Sequence, residues 1–262
     1  MTVMIRTIKQ DFERAFSTNF IIAILSVVLL MLMDNAWELK NAFGREGYTV
    51  YYFLFNTIVF SGMLGTYGTP VACSIPYCSS IIQEIQDGVF GQFFSRSGEN
   101  RYVLSKFLTA AFSSGLCMST GYWLFIAILI LIFPFTGPSI MESGMIVFPY
   151  TDISQQGNIW IHIIIILYFG FWTGVLYGGI TIMLSSFSKH RLIVYLIPFI
   201  LRFSWIQLYR IIPVEYHYRL DYWLFMRTMY VSPSTTMLLC AVRISLLLLL
   251  SYFVLLKKVK GA

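Results

Sequence analysis

Gln83-Glu84-Ile85-Gln86-Asp87-Gly88-Val89-Phe90-Gly91-Gln92-Phe93-Phe94-Ser95-Arg96-Ser97-Gly98-Glu99-Asn100-Arg101 is a polar island between two long apolar runs. It is too short for a domain and long enough for a short amphipathic helix between two membrane spans. Its charges keep it in water, while Phe90, Phe93 and Phe94 give it an apolar face that needs cover, as a groove on a partner would provide. The reading of the chain works outward from this island.

The runs on either side set the class. Apolar residues make up 58% of the 262 and charged residues only 11%, and the mean hydropathy is +0.74. Such a composition lies far outside that of a soluble globular domain and predicts a single all-α integral membrane domain over residues 1–262. The net charge of +6 comes from residues at the ends of apolar runs and forms no basic stripe, so anionic lipid is the expected neighbour and nucleic acid is not. Cys73, Cys78, Cys117 and Cys240 all lie inside apolar runs without a C-x-x-C pair, which reads as packing rather than metal or redox chemistry.

Residues 1–17 place Ile5, Ile8, Phe12 and Phe16 at helical spacing with Arg6, Lys9, Glu13 and Arg14 elsewhere, the pattern of an interfacial helix. Spans one and two are expected within 20–82. The second, about Val50 to Ile82, carries Gly62, Gly65, Gly68, Pro70 and Pro76 and should be kinked or broken. A short polar loop with Glu38, Lys40, Arg45 and Glu46 joins them. The island occupies 83–101, and spans three to five follow within 102–209. In the third, Ala111, Gly115 and Ser119 form a small-xxx-small row; in the fourth, Gly170, Gly174 and Gly178 form another, and both read as helix-packing faces. Residues 210–234 are polar and aromatic, with the look of a re-entrant or interfacial segment. A sixth span and a basic tail complete 235–262.

Lysines and arginines orient the chain. With the N-terminus inside, Arg6, Lys9, Arg14, Arg96, Arg101, Lys106, Lys189, Arg191, Lys257, Lys258 and Lys260 are cytoplasmic, against Lys40, Arg45, Arg210, Arg219 and Arg227 outside. Both termini and the island are therefore expected in the cytoplasm of a plasma (inner) membrane protein.

Catalytic chemistry finds little footing. His162, His190 and His217 are scattered, H-E-x-x-H and G-x-S-x-G are absent, and the six expected spans carry no deep Asp or Glu. The chain is thus not expected to be an enzyme or to bind a metal. Two cations do sit within spans, Arg202 and Arg243, which either line a path or satisfy carbonyls and headgroups. Trp205 and Tyr209, with Tyr216, Tyr218, Tyr222 and Trp223, form either an outer gate or an interfacial aromatic belt.

An interfacial N-terminal helix, six spans, a charged island after span two and a re-entrant-looking stretch before span six resemble the permease subunits of ABC-2 type transporters. The local features that carry the resemblance are Glu84, Gly88, Arg96-Ser97, Tyr102 and Lys106, although Phe94-Ser95 stands where many members have a proline. The resemblance implies that the island is a coupling helix gripped by an ABC ATPase subunit through Glu84, Asp87, Gly88, Phe90, Phe93, Phe94, Arg96, Arg101 and Lys106. It also implies a second permease copy or paralogue as partner, and export driven by alternating access. ATP and Mg would belong to the partner, because G-x-x-x-x-G-K-[ST] is absent here. An amphipathic peptide or lipophilic compound is the expected cargo. The alternative from another class is a membrane-embedded sensor or assembly factor that binds a cytoplasmic partner without transport.

Overall fold

The computed structural model describes residues 2–43, 48–57, 63–135, 150, 153, 158–188, 190–212, 215, 219 and 232–260. Among these the regular structure is helical: α1 (Thr2–Ala15), α2 (Thr18–Asp34), α3 (Ala36–Ala42), α4 (Val50–Phe55), α5 (Met63–Ser74), α6 (Ser80–Gln86), α7 (Phe90–Ser97), α8 (Glu99–Ile132), α9 (Ile159–Ser185), α10 (Arg191–Ile211) and α11 (Pro233–Lys260). A helix is the outcome that apolar runs of this length favour, because it satisfies every interior backbone group without water. Helices α8, α9, α10 and α11 are each long and apolar enough to cross a membrane, and α1 with α2, bent by 48°, would make a fifth.

Helix α8 is the axis on which the others are set. Its principal neighbour is α9, and the small rows make that contact possible. A Cβ added at Gly174 would strike the Ser114 carbonyl and stand 2.8 Å from the Gly115 Cα, and one at Gly178 would stand 2.7 Å from the Ala110 carbonyl. From the other side, a Cβ at Gly115 would meet Val175 at 2.5 Å and Phe171 at 2.9 Å, while Ala111 is buried beside it. Gly170 stands against the Tyr122 ring. As the α9 numbers rise the α8 numbers fall, so the pair is antiparallel with the backbones almost touching.

The segment from Val50 to Glu84 runs back along α8 in three pieces. The Val50 N–H donates to the Pro134 carbonyl at 3.5 Å, the Phe53 and Phe133 rings are 4.6 Å apart, and Glu84 reaches Lys106. Lys106 and Phe133 are about 40 Å apart along the helix at roughly 1.5 Å per residue. Pro70 is carried inside α5, and Pro76 falls in the turn before α6, where its missing N–H suits a break.

The remaining long helices share this axis. Tyr195 on α10 meets Ser79 at 2.9 Å, and the Phe199 and Tyr67 rings are 5.5 Å apart. Tyr168 on α9 donates to the Met237 carbonyl on α11 at 2.9 Å, and Lys260 lies 3.8 Å from Glu99. Helices α1 and α7, the start of α8 and the end of α11 therefore gather at one end, called here the α1 end. Helices α3 and α4 mark the other.

The structure revises several expected boundaries. The stretch read as a polar loop contains α3, whose Glu38 accepts from the Tyr52 hydroxyl at 3.0 Å. Helix α8 starts at Glu99, inside the island, and Gly98 at φ 77° marks the join. Most of 134–158 and of 210–234, including Tyr216, Tyr218, Tyr222 and Trp223, lies outside the described residues.

Helix α1 also presents a different face from the one its apolar periodicity suggests. Asp11 and Ala15 are turned into the bundle at 4% and 0% exposure, whereas Phe12 is half-buried and Phe16 is exposed. Across the bend into α2, Phe12 stacks on Phe16 with centroids 5.9 Å apart and Phe16 meets Phe20 edge-on at 4.6 Å. The aromatic row thus stays partly exposed, and the side of α1 turned into the bundle carries an acid.

Candidate functional site at the α1 end of the bundle

A buried acid on α1 needs a cation, and α8 supplies it. The Lys106 ammonium donates to Asp11 Oδ1 at 3.0 Å, to Glu84 Oε1 at 2.6 Å and to the Tyr77 hydroxyl at 2.8 Å. An ammonium has three donors and no acceptor, so these three partners satisfy it completely. Both carboxylates are bonded further. Asp11 accepts from the Tyr77 hydroxyl and, at 2.5 Å, from Ser105; Glu84 accepts from Tyr102 at 2.6 Å and Arg14 at 3.1 Å. The Lys106 Nζ also lies 5.6 Å from the Tyr102 ring centroid, within the range at which an aromatic face favours a cation.

Two acids and two bases sum to zero charge, and that neutrality lets the group lie inside the protein. The Lys106, Asp11 and Glu84 side chains are only 2%, 6% and 8% exposed, while Arg14 at the margin is 52% exposed. Each buried charge would cost several kcal/mol if left alone, about 3–5 kcal/mol when a partner is removed. The cluster joins four pieces of chain: α1 through Asp11 and Arg14, the turn before α6 through Tyr77, α6 through Glu84, and the first two turns of α8.

The island folds around this cluster as a small hinged unit. Helix α6 ends where the Val89 N–H donates to the Glu84 carbonyl and the Gly88 N–H to that of Ile85, with Gly88 at φ 70°. This paired closure favours glycine because a Cβ disfavours the left-handed conformation. Helix α7 follows, with Phe90 and Phe94 stacked at 5.4 Å and both set edge-on to the Tyr102 ring. Gly91 and Gln92 on its other side are exposed. Gly98 then turns the chain into α8.

These positions divide the residues expected to touch a partner. Asp87, Gly88 and Arg101 are exposed, and Asp87 lies 3.5 Å from Arg191. Glu84 and Lys106 face each other in the interior, since their opposite charges are satisfied within the chain. Phe90 and Phe94 rest edge-on against the chain's own Tyr102 and remain half-buried. The side chains of Phe93 and Arg96 lie outside the described residues. Of the path candidates, Arg202 is buried at 6% exposure and Arg243 is half-buried. The Trp205 indole donates to the Tyr209 hydroxyl at 2.5 Å, one helical turn away on α10. None of these four joins the charged cluster.

Asp11, Tyr77 and Ser105 were missed by sequence reasoning. The signal available for them was Lys106 itself, an ammonium inside the run Val103-Leu104-Ser105-Lys106-Phe107-Leu108, because a cation so placed demands an acid from elsewhere in the fold.

Beside the cluster a cavity of about 270 Å³ opens between α1, the first turn of α2 and α6. Arg14, Asn19, Gln83 and Asp87 stand among its lining residues, with Tyr77, Ser80, Glu84 and Lys106. No protein-family model, curated protein or solved structure matches this chain.

Proposed function

We propose that the chain is the membrane-spanning permease subunit of an ATP-driven ABC exporter, with the α6–α7 unit as the part that a separate ATPase subunit grips. The observation that carries this reading is the construction of that unit. A short helix with an exposed polar side is held between two glycines of positive φ and backed by an ion cluster that ties it to α1 and α8. A push on α7 would pass through Tyr102 and Glu84 into α8, and from there across the close glycine contact into α9. Positively charged residues concentrate at the same end, which supports reading it as the cytoplasmic one.

In this reading α2, the segment α4 to α6, α8, α9, α10 and α11 make six crossings, α1 lies in the interface, and both termini are cytoplasmic. A second copy or a paralogue completes the pathway. Arg202, buried on α10, is the candidate to meet an anionic part of the cargo, which we take to be an amphipathic peptide or lipophilic compound. The chain's part is to carry the switch between inward- and outward-open states; ATP and its Mg belong to the partner.

The test is co-expression with the genomic neighbours followed by affinity purification from detergent. A P-loop ATPase should co-purify, and Gln92→Arg with Asp87→Arg on the exposed side of the unit should release it while leaving the permease folded. Recovery of the folded chain without an ATPase, or retention of the ATPase by the doubly substituted chain, would exclude the reading.

A further inference from the structure

Sulfur gathers at one place inside the bundle, although the spacing of its donors along the chain gives no sign of it. Cys73 lies one residue before the end of α5 and Met118 lies within α8, and the Cys73 thiol donates to Met118 Sδ at 3.2 Å. The Cys117 thiol is within hydrogen-bonding reach of Cys73. All of them are closed off from solvent, Cys73 and Cys117 at 0% exposure and Met118 at 1%. Cys78, in the turn that follows α5, faces elsewhere, with its sulfur 3.7 Å from both Ser114 Oγ and the Gly178 carbonyl.

This donor set selects by softness. Thiolate and thioether sulfur favour Cu(I), whereas Zn(II) asks for a fuller closed set drawn from Cys, His and acids. Among the described residues no such set of three His, Cys, Asp or Glu side chains converges. Cu(I) tolerates fewer ligands, and it accepts the Met118 thioether as one of them. Charge points the same way. The ligand form of cysteine is the thiolate, so an ion seated between Cys73 and Met118 displaces the proton that Cys73 now donates to Met118 Sδ. Cu(I) replaces H⁺ one for one, and the buried charge does not change. A divalent ion in the same place would leave an excess charge in an apolar interior, at high cost. The ligands can also adjust, because Met118 is flexible and polarizable and Cys73 stands at a helix end.

We propose that Cys73, Met118 and Cys117 form a Cu(I) site, with the Cys73 thiolate and the Met118 thioether as its principal ligands and Cys117 as the third sulfur. The bound ion would tie the end of α5 to α8. Nothing in this site requires that the chain transport copper.

The test uses the full chain produced in copper-supplemented cells, purified anaerobically in detergent and challenged with a Cu(I) chelator, bathocuproine disulfonate. It should retain about one copper per chain, with an X-ray absorption spectrum of Cu(I) surrounded by sulfur alone. Met118→Leu and Cys73→Ser should each lower the retained copper about tenfold or more, while Cys240→Ser should not. Met118→Leu nearly conserves volume and should leave the fold intact. Copper should therefore raise the unfolding temperature of the wild-type chain and leave that of folded Met118→Leu unmoved. Copper at background level in the wild-type chain, equal retention by Met118→Leu and Cys73→Ser, or displacement of the copper by an excess of Zn(II) would each overturn the proposal.

Discussion

Lys106 shows how one side chain can decide the arrangement of several helices. Its three donors are shared among Asp11, Glu84 and Tyr77, and no two of these belong to the same helix. Replacing it by Met keeps the length and removes the charge, which leaves two carboxylates buried together. Lys106→Met should therefore lower stability by about 3–5 kcal/mol, seen as earlier loss of the monodisperse peak on heating in detergent. Adding Asp11→Asn and Glu84→Gln to that variant should restore most of the loss, because the uncompensated charges are then gone. If the triple variant is no more stable than Lys106→Met, the cluster acts through shape and hydrogen bonds rather than charge balance. The presence of Glu84 and Lys106 in a special segment was legible in the sequence, but their mutual pairing was not. Glu84 lies in a polar segment and Lys106 in an apolar run, and only the close approach of α6 to α8 places each in the other's field. Asp11 was hidden for a different reason: the apolar periodicity of α1 points to a neighbouring face, about a quarter-turn around the helix.

At the scale of the helix, the two small-residue rows make different demands although they read alike in sequence. Gly174 faces backbone, the Ser114 carbonyl and the Gly115 Cα at 2.8 Å, whereas Gly115 faces the side chains of Val175 and Phe171. Backbone cannot turn aside, but a side chain can take another rotamer. Gly174→Ala should cost about 1–3 kcal/mol through forced separation of α8 and α9, and Gly115→Ala should cost clearly less. Thermal unfolding of the two purified variants checks the order, and equal losses would mean that the interface yields as a whole. Helix existence and the identity of the close-packed faces were legible, because apolar length and four-residue spacing are local properties. The three-piece path of residues 50–84 was legible only as an expectation of breaks. Pro70 and Pro76 look equivalent on paper, yet the first is carried inside α5 and the second falls in the turn between α5 and α6. Which proline breaks a helix depends on what its neighbours can satisfy.

For the whole molecule, the argument turns on which residues share an end. Glu99 meets Lys260 at one end and Val50 meets Pro134 at the other, so α8 serves as a ruler against which the chain's ends can be placed. Its start, α7 and the end of α11 belong together, and α3 belongs to the opposite side. Because Cys73, Cys78, Cys117 and Cys240 are all buried, single cysteines introduced at exposed positions can report sidedness against a low background. Gly91 on α7 has nothing within 4 Å of an added Cβ, and Trp37 on α3 is 71% exposed. In sealed inverted vesicles a membrane-impermeant maleimide should label Gly91→Cys and leave Trp37→Cys unlabelled, and in intact cells the pattern should reverse. Labelling of both from the same side would require an odd change in the number of crossings between them, which would make α4 to α6 a re-entrant loop and leave the α1 end without a defined side. Labelling from opposite sides in the reverse sense would keep the helices as they are but turn the basic end outward, where no ATPase can reach it.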